Sequence, residues 1–192
     1  YKRSPKRIGD FSEKVGSGIT PKGGSKVYLE SGIRLIRSQN VLNGEFDFSD
    51  IAFISDEIDQ KMSSTRVKQN DVLLNITGAS IGRSAVYKDS EKANVNQHVC
   101  IIRTKENLDP DFLSEFINSS FGQNQIQLLQ AGGNREGLNF ENIRLMSFPN
   151  FDFDQQKEIR KKYEFIVNGI LDTRQKIEAS QMLQKSLINQ IF

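Results

Sequence analysis

Side chains that combine a hydrogen-bond fork with charge or amide polarity fall in a few places in this chain, mostly at strand ends or in loops. Arg34 and Arg37 lead into Ser38-Gln39-Asn40. Asn75 and Arg83 bracket the turn Thr77–Gly82, and Asn134 and Arg135 sit in a Gly-rich stretch at 132–137. Guanidinium and carboxamide groups match the donor and acceptor pattern of nucleic-acid base edges. Lys22 and Lys26, in the basic Gly-rich loop 16–26, suit phosphate oxygens. Arg34, Arg37, Asn40, Arg83 and Arg135 are therefore candidates for phosphates or guanines, and Gln39, Asn75 and Asn134 for adenines. A solvated strand end or loop tip would use the same residues, and the sequence leaves both readings open at 34–40 and at 134–135.

Other chemistries fit less well. In the loop 16–26, a dinucleotide fingerprint would need Gly where Pro21 stands, and a P-loop would need Lys where Gly24 stands. His98, the only histidine, begins an apolar run with no second ligand type beside it in sequence, and reads as a structural core or edge residue. The single Cys100 excludes an internal disulfide and a cysteine zinc cluster, and fits a reducing cytoplasm. No catalytic residue, metal ligand or cofactor is expected. A formal net charge of +2 decides nothing about partners, because only the placement of charge bears on them.

The elements that must position these residues are short. Hydrophobic content of 36% and charged content of 26% indicate a soluble globular chain, and no apolar run is long enough to cross a membrane. The basic N-terminus lacks the apolar stretch of a secretory signal, and without an initiator Met the chain reads as an excised piece. Strands are expected at 27–29, 33–37, 51–54, 72–76, 84–87, 95–103 and 145–148. A helix should start at Ser55, and Asp109-Pro110 should cap a helix reaching 130. Asn139 caps a further short turn. Strands and helices do not alternate regularly, so the expectation is an α+β, mixed globule rather than a doubly wound sheet.

The last stretch, 154–192, differs from the rest. It holds no Pro and one Gly (Gly169) and is rich in strong helix formers. Ile159, Tyr163, Ile166, Ile170, Ile177, Leu183, Leu187 and Ile191 recur at helical spacing, with Thr173 and Ser180 interrupting the seam. One continuous rod would be roughly 58 Å long. It either folds back as an ordinary amphipathic core helix or stands out as an arm that pairs with another helix.

In this order, Gly18-Ile19-Thr20-Pro21, Gly78-Ala79-Ser80-Ile81-Gly82-Arg83 with Val95-Asn96-Gln97, Gly137-Leu138-Asn139 through Phe148-Pro149 into Gln155-Gln156-Lys157-Glu158-Ile159, and the closing Leu183, Leu187, Ile191 and Phe192 resemble one half of the DNA-specificity subunit of a type I restriction–modification system. Each motif is weak alone; together they span the chain. The resemblance implies a target recognition domain over 1–150 and a long conserved-region helix over 151–192. That helix would pack antiparallel against a second one and set the gap between two half-sites. It implies binding to one part of a bipartite double-stranded DNA target, with modification and restriction subunits as partners that carry the chemistry. Only one unit is present, so the expectation is a half that pairs with a copy of itself or with a second unit. No Asn/Asp-Pro-Pro-aromatic motif of an adenine methyltransferase occurs. The nuclease-like Asp59-Gln60-Lys61 lies among helix-forming polar residues. The competing reading is a coiled-coil interaction protein whose globule binds protein rather than DNA.

Overall fold

A computed structural model describes residues 5–131 and 137–191; Asn134, Arg135 and Phe192 lie outside them. In chain order the elements are β1 (Lys6–Arg7), β2 (Ser12–Ser17), β3 (Ile33–Ile36), β4 (Ala52–Ile54), α1 (Asp56–Lys61), β5 (Arg66–Val67), β6 (Val72–Asn75), β7 (Ser84–Val86), β8 (Ala93–Val95), β9 (Val99–Thr104), α2 (Pro110–Asn118), α3 (Ser120–Ala131), α4 (Phe140–Leu145), β10 (Ser147–Phe148) and α5 (Phe153–Ile191). The expected mixed globule followed by one long helix is what the chain forms.

Two four-stranded sheets make the middle of the globule. The first runs β2-β9-β6-β7 and is antiparallel throughout. The second runs β4-β3-β8-β5, with β3 and β8 parallel. Side chains alternate across each strand, and here both faces are covered. From β6 and β9, Val72, Leu74, Cys100 and Ile102 point toward α2, α3 and α4. Leu73, Val99 and Ile101 point the other way, onto Ile36, Val67 and Val95 of the second sheet. That sheet buries Ile33, Leu35 and Ile54 on its far face with Met62. Burial on both sides explains why 72–76 is a continuous apolar run rather than an alternating one.

Three expectations from the sequence need correction. The run 95–103 is two strands in different sheets, because Asn96 Oδ1 accepts the His98 N–H at 3.1 Å and closes a turn between them. The helix expected over 110–130 breaks at Ser119, whose extended backbone ends α2 and whose Oγ accepts the Gly122 N–H to begin α3. Residues 24–27 form a helical turn, leaving Leu29 only an isolated bridge to Phe53. The capping residues behave as anticipated: Ser55, Asp109 and Asn139 each accept a first-turn N–H.

The arm begins in a capping box. Asp152 Oδ1 accepts the Gln155 N–H at 2.9 Å, and Gln155 Oε1 accepts the Asp152 N–H at 3.1 Å. Gln156 is buried, and Ile159 packs against the core cluster on the helix side of the first sheet. Ile159 is therefore spent on the globule rather than on a partner helix. From 168 to 191 every residue is exposed, so the rod does not fold back as a core helix.

Candidate nucleic-acid interface

The end of β6 organises the polar surface. Asn75 is fully buried, and its Nδ2 donates to Ser38 O at 2.8 Å, Val41 O at 3.2 Å and Ser80 Oγ at 3.1 Å. Its backbone N–H donates to Arg83 O, and Gly82 N–H returns to Asn75 O at 3.0 Å. Gly82 sits at φ +88°, and a Cβ there would meet the Gln123 amide at 2.6 Å. Position 82 therefore favours glycine on conformation, and a side chain there would have to displace the Gln123 amide. Gln123 Nε2 in turn donates to Gly82 O at 3.0 Å.

Two further loops meet the same end. Ile76 N–H donates to His98 O at 3.0 Å, which ties the end of β6 to the 96–98 turn. Gly18 N–H donates to Asn96 O at 3.2 Å, and a Cβ on Gly18 would overlap Val95 O at 1.6 Å. Leu138 N–H donates to Ile76 O, and Thr77 bridges Gly137. The segments 18–21, 78–83, 95–97 and 137–139, scattered in sequence, thus converge at one end of the two sheets.

Between them lies an open groove of about 650 Å³ lined by Ser38, Gln39, Thr77, Gly78, Ala79, Ser80, Arg83 and His98. Arg83 is exposed and has no side-chain partner among the described residues. Thr77 Oγ1 and His98 Nδ1 are 2.5 Å apart, and Gln97 Nε2 lies 3.3 Å from His98 Nε2. Gln39 is exposed and donates to Asp50 Oδ2 at 2.5 Å. The groove offers hydroxyl, amide, imidazole and guanidinium groups with exposed backbone, the inventory that contacts phosphates and base edges.

The sequence candidates divide accordingly. Gln39 and Arg83 line the groove together. Lys22 and Lys26 are exposed in the loop that starts beside the 96–98 turn, with no side-chain partner among the described residues. Arg37 pairs with Asp50 at 3.3 Å and lies over the Tyr28 ring. Arg34 is held by Asp89 and stacks on Phe48 at 5.1 Å; it does not line the groove. The Arg34–Asp89 pairing raises the guanidinium pKa and lowers that of the carboxyl.

Asn40 and Asn75 are corrections. Asn40 is 2% exposed, accepts the Arg37 N–H at 3.0 Å and donates to Asp47 O and Asp50 O. The Asn40 amide and the Asn75 Nδ2 are consumed in shaping the groove wall, while the buried Asn75 Oδ1 has no hydrogen-bond partner among the described residues. Asn134 and Arg135 lie outside the described residues. Thr77, Ser80 and His98 were not singled out as contacts from sequence. His98 is half-buried on the groove rather than in the core; the sequence signal was its place next to Asn96-Gln97, one of the motifs that converge here.

Among the described residues no group of three or more His, Cys, Asp or Glu side chains could hold a metal ion. Cys100 is buried, and burial pushes its thiol up to about 12, which leaves it protonated and unreactive at neutral pH. The fold is a two-sheet globule with an open groove at one end, carried on a long helical arm. The chain belongs to the type I restriction modification DNA specificity domain family, whose model matches residues 4–179.

Its relatives include the type I restriction enzyme StySPI specificity subunit of Salmonella potsdam, 23% identical over 154 residues, covering 79% of this chain and 33% of that protein. The EcoBI specificity subunit of Escherichia coli is 28% identical over 137 residues, 71% of this chain and 29% of that protein. The chain thus spans about a third of the length of these curated relatives. A chain solved in work on complex assembly and conformational transition of the type I R-M system superposes with a TM-score of 0.71 at 14% identity, over 95% of this chain and 43% of that one. The HsdS subunit from Thermoanaerobacter tengcongensis gives 0.60 at 13% identity, over 85% and 37%. These likenesses establish a common fold.

Proposed function

We propose that residues 1–150 read one part of a bipartite double-stranded DNA target, and that residues 151–192 form the arm that spaces this reader from a second one. The observation that carries the reading is the convergence of four family motifs around one groove, where Arg83 is exposed without a side-chain partner among the described residues and Gln39 is exposed beside it. Lys22 and Lys26 supply phosphate contacts, which gives an affinity that falls steeply with salt. Gln39, Thr77 and His98 present donors and acceptors to base edges, with Asn134 as a further adenine candidate and Arg135 a further phosphate or guanine candidate. The chain itself is non-catalytic; modification and restriction subunits, recruited through the arm and the globule, perform methylation and cleavage. A second unit, either a copy of this chain or another half, lies antiparallel along α5. No helix among the described residues is long and apolar enough to cross a membrane, in keeping with a cytoplasmic DNA-bound assembly.

Selection of bound duplexes from a random pool, followed by anisotropy titration over a salt series, tests this. Recovery of one short half-site whose affinity drops as salt rises is expected. Equal recovery of all sequences, or no binding when the modification subunit is added, overturns it.

A further inference from the structure

From Tyr163 to Ile191 the arm keeps one unbroken heptad frame. Tyr163, Ile170, Ile177, Gln184 and Ile191 recur at one position of the heptad, and Ile166, Thr173, Ser180 and Leu187 recur at the other. All of these side chains are exposed. The two preceding positions of the same frame are closed, because Gln156 is fully buried and Ile159 packs against the globule's own core. A partner helix therefore meets an open seam only from Tyr163 onward. Three polar residues in that seam, Thr173, Ser180 and Gln184, make its registers unequal.

We propose that the partner along α5 is a second copy of this chain, antiparallel and held in the one register that sets Ile170 against the partner's Leu187. This rests on the reading above that the arm spaces two readers. In an antiparallel pair the two heptad positions face each other. This register stacks Ile166 on the partner's Ile191, Ile170 on the partner's Leu187, Thr173 on the partner's Gln184 and Ile177 on the partner's Ser180, each contact occurring twice by symmetry. Apolar layers close both ends, and the small Ser180 faces the branched Ile177. Thr173 Oγ1 donates to Gly169 O at 2.7 Å, which leaves its lone pairs to accept an N–H from the partner's Gln184. Ile166 also borders an open groove of about 520 Å³ with Phe165 and Lys162, at the level where the partner's last turn ends.

Sliding the pair by one heptad spoils it in either direction. Toward the globule, the partner's Ile191 needs the space beside Ile159 that the core already fills, and Gln184 presses on the partner's Ile166. Arg174, which has no ion pair among the described residues, then faces its own copy across the axis. Away from the globule, Ile166 and Ile170 lose their cover and Ile191 meets the partner's Thr173. The favoured register holds the two Ile159 roots roughly 58 Å apart along the pair, and a one-heptad slip changes that by roughly 10 Å. Polar residues within a seam select register at some cost in stability, so Thr173 and Gln184 fix the gap between the two readers.

Single cysteines in the full chain report the register, because Cys100 is buried and a disulfide forms only where Cα atoms lie within about 7 Å. Ile170→Cys chains mixed with Leu187→Cys chains in a glutathione redox buffer should give the linked heterodimer as the main product, with neither variant linking to itself. Ile170→Cys with Ser180→Cys, and Leu187→Cys with Ile177→Cys, meet only in the two slipped registers and should stay unlinked. A link in either slipped mixture overturns the register and leaves antiparallel pairing in place. Self-linking of Ile170→Cys, which a parallel pair alone allows, overturns both. A native chain that sediments as a monomer, with no link in any mixture, overturns self-pairing; recovery of a half-site from the duplex pool then shows that the DNA reading stands without it.

Discussion

Gln156, on the first turn of α5, accepts the backbone N–H of Asp109 through its Oε1 at 2.9 Å, and Asp109 is the residue that caps α2. The same amide donates to Asn107 O at 3.2 Å and Phe151 O at 3.1 Å. One fully buried side chain therefore fastens the arm to the helix on which it leans, and replaces water for three backbone groups.

Replacing that amide exposes the strength of the fastening. Gln156→Leu keeps the volume but leaves the Asp109 N–H and two carbonyls without partners. A loss of about 2 kcal/mol in urea unfolding is expected, because each stranded buried group costs about 1–3 kcal/mol. An unchanged midpoint would mean that the arm root is held by Ile159 packing alone.

Asp71, 1% exposed, is bound by Arg103 through Nε at 2.8 Å and Nη2 at 2.7 Å. Arg103→Ala strands a buried carboxylate and should destabilise by roughly 3 kcal/mol. Asp71→Asn in the same chain should recover part of the loss, and thermal unfolding of the two variants shows whether it does.

The Arg83 side chain has no hydrogen bond or ion pair among the described residues, so its removal tests binding with little effect on folding. Arg83→Ala should leave stability within about 0.5 kcal/mol while weakening duplex binding, and should reduce the salt slope by about one if its partner is a phosphate. Unaltered affinity at every salt concentration would remove it from the interface.

The arm exposes Ile166, Ile170, Ile177, Leu183, Leu187 and Ile191 at 49–73%. Phe165, Leu171, Met182 and Ile188 are exposed as well and widen the stripe. Ile177→Asp, at a site with no intramolecular packing, should leave the globule's unfolding unchanged while weakening self-association at least tenfold in sedimentation equilibrium. A charge in a packed seam is costly, so equal association would locate the pairing surface elsewhere on the helix.

Stability should fall as pH rises from about 5 toward 7. The Glu115 carboxyl is raised from an ordinary 4.5 to about 7, so the folded state holds a proton that the unfolded chain has released. Its contribution is complete below the ordinary value and is lost as pH climbs through the folded one. The group is half-exposed to solvent, which screens the effect. Urea midpoints measured across this window in the native chain and in Glu115→Gln should differ in slope, the variant being the flatter.

Periodicity determined the arm. Helix formers without Pro and an apolar repeat suffice to specify a rod, because helical hydrogen bonds are local. Capping signals at Ser55, Asp109 and Asn139 were legible for the same reason, as was the apolar stripe, whereas its exposure beyond Ile159 was decided by the tertiary structure. The groove was not legible in this way. Asn75 and Asn40 carry the same carboxamide as Gln39, and nothing local says that two of them face inward while one faces out. That distinction arises only when β6 is covered by the helices on one face and the second sheet on the other, and its end meets loops from 18, 38, 96 and 137. The split of 95–103 into two strands likewise depends on which sheet each half joins. Composition and spacing decide what a segment can form by itself, whereas burial, and with it the choice between scaffold and surface, is set by partners far away in the chain.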